Sequence, residues 1–321
     1  MTRQQETAQR WTAQAIGGQH GRTVVITGAS SGIGFETAKA LAARGATVVL
    51  AARNPTKTQN AVARINEATP GADVSAIPLD LTSLTSVRRA AEQISSRYPR
   101  LDLLINNAGV MMTPQGRTED GFELQLGTNH LGHFALTGLL LGRLLAGPHS
   151  RIVTVSSFAH RQGYIDLDDL HFQQRRYRPT VAYGQSKLAN LLFTHELQRR
   201  LTEINASAIA VAVEPGVVPT DLPRYASTVN RSIVKLLTAV AGQRSPQIGA
   251  LSTLRAATDP GVCGGQYYAP GSLGGWRGYP VLIESSTRSH DTDVQRLLWN
   301  ESQRLTGVTY PFPGLPSQQN S

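Results

Sequence analysis

TVVITGASSGIG, residues 23–34, is the stretch whose reading decides the fold. Its first five residues are a β-branched apolar run. The stretch beyond it, 33–44, sets apolar groups at Phe35, Ala38, Leu41 and Ala42, which is helical spacing. The reading is strand, tight turn, helix. Glycines at 28, 32 and 34 let the chain bend sharply and let a pyrophosphate approach backbone N–H groups at the positive end of the helix. The spacing Gly28-x3-Gly32-x-Gly34 is not the GxGxxG form. Gly-Ala-Ser-Ser-Gly by itself is also an ordinary connecting loop, so the flanks carry the inference.

Outward from this turn, strands and helices alternate. Short apolar runs at 46–51, 75–79, 101–105, 151–155 and 207–213 read as strands, and 265–268 adds a last one. Helix-like stretches lie between them near 56–69, 83–98, 120–146 and 182–204. Strands without apolar/polar alternation are buried on both faces. The expectation is an α/β fold built on a single doubly wound parallel sheet with helices on both faces, its ligands at the carboxyl ends of the strands. No proline- or serine-rich linker divides the 321 residues, so 21–310 is read as one Rossmann-type domain between an N-terminal arm, 1–20, and a C-terminal tail, 311–321.

Composition narrows the function classes. The net charge of +9 comes from 31 basic against 22 acidic residues, but the arginines are dispersed, and the densest group is Arg175, Arg176 and Arg178. Aromatic residues, at 6%, do not interleave with them as a base-stacking platform requires, so a solvated basic surface is expected and a nucleic-acid partner is not. The single Cys263 excludes an internal disulfide. The longest apolar stretch, 134–145, is too short to span a bilayer and is broken by Arg143, so no integral membrane segment is expected. Residues 1–22 carry no signal-peptide core, and a cytoplasmic protein is the expectation. Oligomeric state is not readable.

Tyr183 and Lys187 in AYGQSK stand four apart at the start of a leucine-rich helical stretch, and so share one helix face. An ammonium there can stabilise a phenolate whose ordinary pKa is about 10, giving an acid/base group usable near neutrality. Pair and glycine turn together point to a nucleotide-dependent oxidoreductase. His130 and His133 lack a carboxylate or cysteine at zinc spacing and read as packing groups, so no metal is called for.

In order along the chain come TGASSGIG at 27–34, Asp80 after the third strand, NNAG at 106–109, Asn129 in NHLGHF, VSS at 155–157, YGQSK at 183–187 and PGVVPT at 215–220. Joint order and spacing over some two hundred residues resemble the short-chain dehydrogenase/reductase family. The insert 158–180 and the C-terminal part resemble the branch holding retinol dehydrogenases and light-dependent protochlorophyllide reductases. The resemblance implies that Tyr183 exchanges a proton with the substrate oxygen while hydride moves at C4 of the nicotinamide. It also implies that Lys187 lowers the phenol's pKa and bonds the nicotinamide ribose, that a serine holds the substrate oxygen, and that Asn129 anchors a water linking the lysine to solvent. Ser156 and Ser157 are adjacent and only one can face the site; the family pattern selects Ser157.

Cofactor contacts implied in the same way are Thr27, Gly28, Ser30, Ser31, Gly32, Ile33 and Gly34 around the pyrophosphate and adenosine side, Asp80 and Leu81 at the adenine, and Asn107, Ala108 and Gly109 near the ribose. Tyr183 and Lys187 join them at the nicotinamide, with Pro215, Gly216 and Thr220 at its carboxamide. A substrate flap is expected over 217–245. With Phe158, Tyr164, Phe172 and Tyr177 of the insert, Leu222 and Tyr225 of the flap supply apolar surface either for a bulky lipophilic alcohol or carbonyl or, equally, for covering their own domain.

The cofactor expected is NADP(H). In a dinucleotide fold an acidic residue about 20 positions past the turn bonds the ribose 2′-hydroxyl. Here VVLAARN puts Ala52 and Arg53 at that point, and Arg53 can pair with a 2′-phosphate instead. Two rival readings stay open: a non-catalytic NADP-binding sensor on the same fold, and a C=C reductase similar to protochlorophyllide reductase.

Overall fold

A computed structural model describes residues 10–216, 245–272 and 277–312. Its eight-stranded sheet runs in the order β3-β2-β1-β4-β5-β6-β7-β8. The parallel strands are β1 (Thr23–Thr27), β2 (Thr47–Ala52), β3 (Val74–Pro78), β4 (Leu103–Asn106), β5 (Arg151–Val155), β6 (Ile209–Val213) and β7 (Tyr267–Ser272). Between β1 and β4 the chain order reverses, which opens a crevice at their carboxyl ends.

One strand departs from the sequence reading. β8 (Arg277–Ile283) pairs antiparallel with β7 and forms the sheet's edge. It carries Gly278 and Pro280, residues that weaken a strand signal and are tolerated best at an edge.

Helices cover both faces. On one side α1 (Gly32–Ala42), α2 (Pro55–Ala68) and α7 (Pro246–Thr258) enclose a core containing Val24, Ile26, Leu41, Leu50, Ile105 and Leu254. On the other side are α3 (Leu84–Arg97), α5 (Gly132–Leu145), α6 (Pro179–Glu203) and α8 (Thr292–Thr306). Their core holds Ile94, Leu104, Leu140 and an aromatic nest of Phe134, Phe193, Trp299, Tyr310 and Phe312. Phe312 belongs to this nest although it lies past position 310. At the other end of the chain Ile16 is likewise buried in a core. Helix α8 starts where the Asp291 carboxylate accepts the N–H groups of Asp293 and Val294, and ends at left-handed Gly307. It covers α6, so α6 is buried on nearly every face of its first five turns.

The expected continuous helix over 120–146 is broken. Leu124–Leu126 forms α4, Gly127–Leu131 a π-turn, and α5 follows. The π-turn contains Asn129, and such a widened turn re-aims side chains where an ordinary helix would not.

Candidate active site

The glycine turn is held by its neighbours rather than by its own sequence. Thr27, buried at the end of β1, accepts the N–H groups of Asn107 and Ala108 on its hydroxyl, both at 2.9 Å. The Asn107 amide donates back to the Thr27 carbonyl at 2.8 Å. Gly28 and Gly32 have φ of +68° and +60°, the left-handed region that disfavours a side chain. A Cβ on Gly34 would lie 2.5 Å from Asn107 Nδ2, so that glycine permits the close approach of α1 to the segment after β4. Ser30 is half-buried, Ser31 is exposed and caps α1 with backbone only, and Ile33 is buried. This is a cradle of backbone N–H groups at a helix N-terminus, and a pyrophosphate fits its chemistry.

Beside it, Arg53 leaves the end of β2 with its side chain 58% exposed and its Nε 3.9 Å from Asp80 Oδ2. Asp80 Oδ1 accepts from both the N–H and the hydroxyl of Thr82, which fixes the loop after β3. The Leu81 side chain is packed in the core, so any contact it makes with an adenine must come from its backbone.

At the end of β5, three strands in from the β8 edge, Ser157, Tyr183 and Lys187 converge. Ser156 and Ser157 point apart as they leave β5. Ser156 Oγ donates to the Lys187 carbonyl at 2.8 Å and bolts the strand to α6. Ser157 accepts the Ala159 N–H at 3.3 Å, and its hydroxyl is close enough to the Tyr183 phenol to favour the ionised form. Lys187 Nζ donates to the Val155 carbonyl at 3.1 Å and sits 5.7 Å from the centre of the Tyr183 ring. Burial of the ammonium pulls its pKa down to about 8. Burial likewise pushes the Tyr183 phenol up to about 12; the Ser157 hydroxyl opposes this and the Glu214 carboxyl adds to it. A lowered phenol pKa, expected from Lys187, is therefore not what this structure shows: desolvation dominates, and the ammonium's hydrogen bond goes to a carbonyl.

Asn129 is fully buried, and both ends of its amide are engaged. Oδ1 accepts the Val110 N–H at 2.8 Å, and Nδ2 donates to the Val110 carbonyl at 3.0 Å and to Ser186 Oγ at 2.9 Å. Through this clamp it holds the segment after NNAG, where a Cβ on Gly109 would lie 3.0 Å from Asn129 Oδ1 and 3.7 Å from Lys187 Nζ. The Asn129 carbonyl accepts from His133 Nδ1 at 2.9 Å, which leaves Nε2 of the neutral ring to accept the Thr27 hydroxyl at 2.8 Å. Burial drives His133 down to about 4 and His130 to about 3, so both rings are neutral at physiological pH. His133 thereby ties the glycine turn to the π-turn, a link invisible in sequence.

The insert is built differently from its sequence reading. The Asp169 carboxylate gathers the N–H groups of Gln173, Gln174 and Arg175 together with the Arg175 side chain. Arg175 and the Leu170 carbonyl then bond Gln185 on α6. Phe172 is buried edge-on to Tyr177, and the Tyr177 hydroxyl is held by Gln125 at 2.9 Å. Phe172 therefore covers its own domain, while Tyr177 stays half-buried and Tyr164 is 59% exposed. Phe158, next to Ser157, is half-buried at the site. Pro215 and left-handed Gly216 follow β6, while Thr220, Leu222, Tyr225 and the flap up to residue 244 lie outside the described residues.

Glu214 is a further polar group at the site that sequence reasoning passed over. It is 4% exposed, and its Oε2 accepts the Tyr267 hydroxyl at 2.6 Å. The available signal was a carboxylate set directly between an apolar strand and the Pro-Gly turn.

Comparison with known proteins agrees with this geometry. A family model described as short chain dehydrogenase matches residues 22–230. Retinol dehydrogenase 13 of Homo sapiens is 43% identical over 302 residues, spanning 91% of this chain and 86% of that protein. Polyprenol dehydrogenase of Homo sapiens is 39% identical over 295 residues, spanning 89% and 86%. Among solved structures, an uncharacterized protein from Mycobacterium paratuberculosis superposes with a TM-score of 0.78 at 44% identity, covering 94% of this chain and 99% of that one. Pseudomonas aeruginosa RhlG, solved as an NADP active-site complex, gives 0.61 at 25% identity over 78% and 94%. The chain belongs to the short-chain dehydrogenases, on the retinol dehydrogenase-like branch, and is an oxidoreductase acting on CH–OH groups.

Proposed function

We propose that the protein interconverts an alcohol and a carbonyl on a bulky lipophilic substrate with NADP(H), using Tyr183 as the acid/base. The observation that carries this is the convergence of Ser157, Tyr183 and Lys187 at the end of β5, beside the cradle formed by the glycine turn and NNAG. Bound nicotinamide would supply or accept the hydride. The chain's own residues do the rest. Tyr183 donates its proton to the substrate oxygen in reduction and takes it back in oxidation, and Ser157, beside the phenol, holds that oxygen within reach. Lys187, poised near neutrality, opposes the negative charge that develops on the phenol.

The choice of NADP(H) rests on the end of β2. The position after β2 that carries the ribose-binding acid in NAD-type folds is Ala52–Arg53 in this chain, and Arg53, paired with Asp80 yet 58% exposed, has the charge to meet a 2′-phosphate. The structural relative bound to NADP supports it. Lipophilic substrates are supported by the names of the relatives, which act on retinol and polyprenol. The test is kcat/KM with both cofactors and a homologous series of alcohols and aldehydes, for the wild type and for Ala52→Asp/Arg53→Leu. NADP(H) should be preferred by about 10- to 100-fold, the double variant should lose that preference, and efficiency should rise with chain length. A wild type preferring NAD(H), or equal efficiency on two- and ten-carbon substrates, contradicts the reading.

A further inference from the structure

Gln125, wholly buried in α4, ties three segments together through one amide. Its Oε1 accepts the Met112 N–H at 2.8 Å, and its Nε2 donates to the Tyr177 hydroxyl at 2.9 Å and to the Pro179 carbonyl at 3.0 Å. An N–H can only donate and a carbonyl only accept, so these partners fix which way the amide faces. Met112 belongs to the segment after NNAG, Tyr177 to the insert, and Pro179 opens α6 one turn before Tyr183. The backbone of Gln125 is held as well, because the Glu123 carboxylate accepts its N–H at 2.9 Å. The Tyr177 hydroxyl extends the network, sharing its one proton between the Thr113 carbonyl at 3.1 Å and Glu123 Oε1 at 3.3 Å.

The segment held in this way starts at the reacting groups. A Cβ on Gly109 would lie 3.7 Å from Lys187 Nζ, and the next residue, Val110, is clamped by Asn129 through both its N–H and its carbonyl. Two residues on, Met112 has φ of +51°, a left-handed conformation that is strained for a residue with a side chain and persists only where neighbours impose it. Gln125 bonds the N–H of that residue. Met111 and Met112 are half-buried, and methionine side chains are apolar and adapt to irregular shapes.

We propose that Gln125 is a positioning residue for the substrate: through Met112 and Pro179 it sets the gap between the 110–113 segment and the turn of α6 that carries Tyr183, and Tyr177 braces it. This rests on the reading of a lipophilic substrate held beside Tyr183. The insert then serves recognition through a hydroxyl acting on Gln125, not through the surface of its rings. A short substrate that ends near the reacting oxygen does not depend on the gap. A long one must pass through it.

Gln125→Met keeps the side-chain length and removes all three amide bonds. Tyr177→Phe removes one of them together with the bond to Thr113, and keeps the ring against Phe172. The readout is the ratio of kcat/KM for a ten-carbon aldehyde to that for a two-carbon one, with NADPH and the full-length protein. A loss of folded protein scales both values and leaves the ratio unchanged, whereas a displaced segment lowers it. The ratio should fall by about 10-fold in Gln125→Met, chiefly through a higher KM for the long substrate, and by a smaller factor in Tyr177→Phe. Amide hydrogen exchange over residues 110–113, followed by mass spectrometry, should quicken in both variants and more in Gln125→Met. An unchanged ratio in Gln125→Met with a lower Tm makes Gln125 a structural group only and overturns the proposal. Should Gln125→Met not fold, Tyr177→Phe decides by the same ratio. A wild type equally efficient on both aldehydes would instead sink the lipophilic-substrate reading; exchange then decides the brace, and unchanged exchange in both variants overturns it.

Discussion

Replacing Lys187 by methionine should make the protein more stable and inactive at once. The ammonium is 4% exposed, and burial lowers its pKa from 10.5 to about 8. Below pH 8 both folded and unfolded chains carry the proton. Between 8 and 10.5 the unfolded chain still binds a proton that the folded chain has released, so wild-type stability rises with pH across that window. The gap of about 2.5 units corresponds to a burden of about 3 kcal/mol on the folded state at pH 7. Methionine has similar length and no charge. The bond it removes, to the Val155 carbonyl, is worth about 1 kcal/mol, and that carbonyl keeps the Asn190 amide at 3.0 Å. The net expectation is a gain of about 2 kcal/mol at pH 7 and a Tm higher by several degrees. The gain should shrink as pH passes through 8 and be gone above 10.5, while turnover falls by 10²-fold or more. Thermal unfolding followed by circular dichroism at unit pH steps measures it. A Lys187→Met protein that melts below the wild type at pH 7, or whose advantage does not depend on pH, would refute the reasoning. Stability forgone at a site is what a functional charge costs.

Two further outcomes follow from the same geometry. Ser157→Ala should lower kcat more than Ser156→Ala, because Ser157 meets the Tyr183 phenol whereas Ser156 bonds the α6 backbone and its loss should appear chiefly as lower Tm; steady-state kinetics and melting curves on both variants decide this. Gly34→Ala should weaken cofactor binding by 10-fold or more with the fold intact, since the new methyl would lie 2.5 Å from Asn107 Nδ2 and must displace the amide that closes the cradle onto Thr27; fluorescence titration with NADPH reads it, and unchanged affinity would count against the cradle.

Most of the sheet was legible in the sequence because its strands are buried on both faces and read as unbroken apolar runs; β1 and β5 begin and end where the pattern places them. The edge strand β8 was not, since Gly278 and Pro280 interrupt it and its pairing with β7 is a tertiary choice. The π-turn was hidden for a related reason. Gly127–Leu131 lies inside a long helix-like stretch, and its contacts from Asn129 to Val110 and Ser186 are tertiary. At the site, glycines and short motifs marked the residues that must be what they are, while the partners of Glu214 and His133, Tyr267 and Thr27, come from distant strands and carry no local pattern. The aromatic count of the insert left two uses open, and composition cannot tell that Phe172 is turned inward.

The central claim is that Tyr183 carries the transferred proton in an NADP(H)-dependent alcohol–carbonyl reaction. Purified wild-type and Tyr183→Phe proteins, matched for NADPH affinity by fluorescence titration, should be compared in reduction of a long-chain or isoprenoid aldehyde. The account predicts wild-type turnover with NADPH and a loss of roughly 10²-fold or more in kcat for the variant at unchanged cofactor affinity. Near-full turnover in Tyr183→Phe would contradict it.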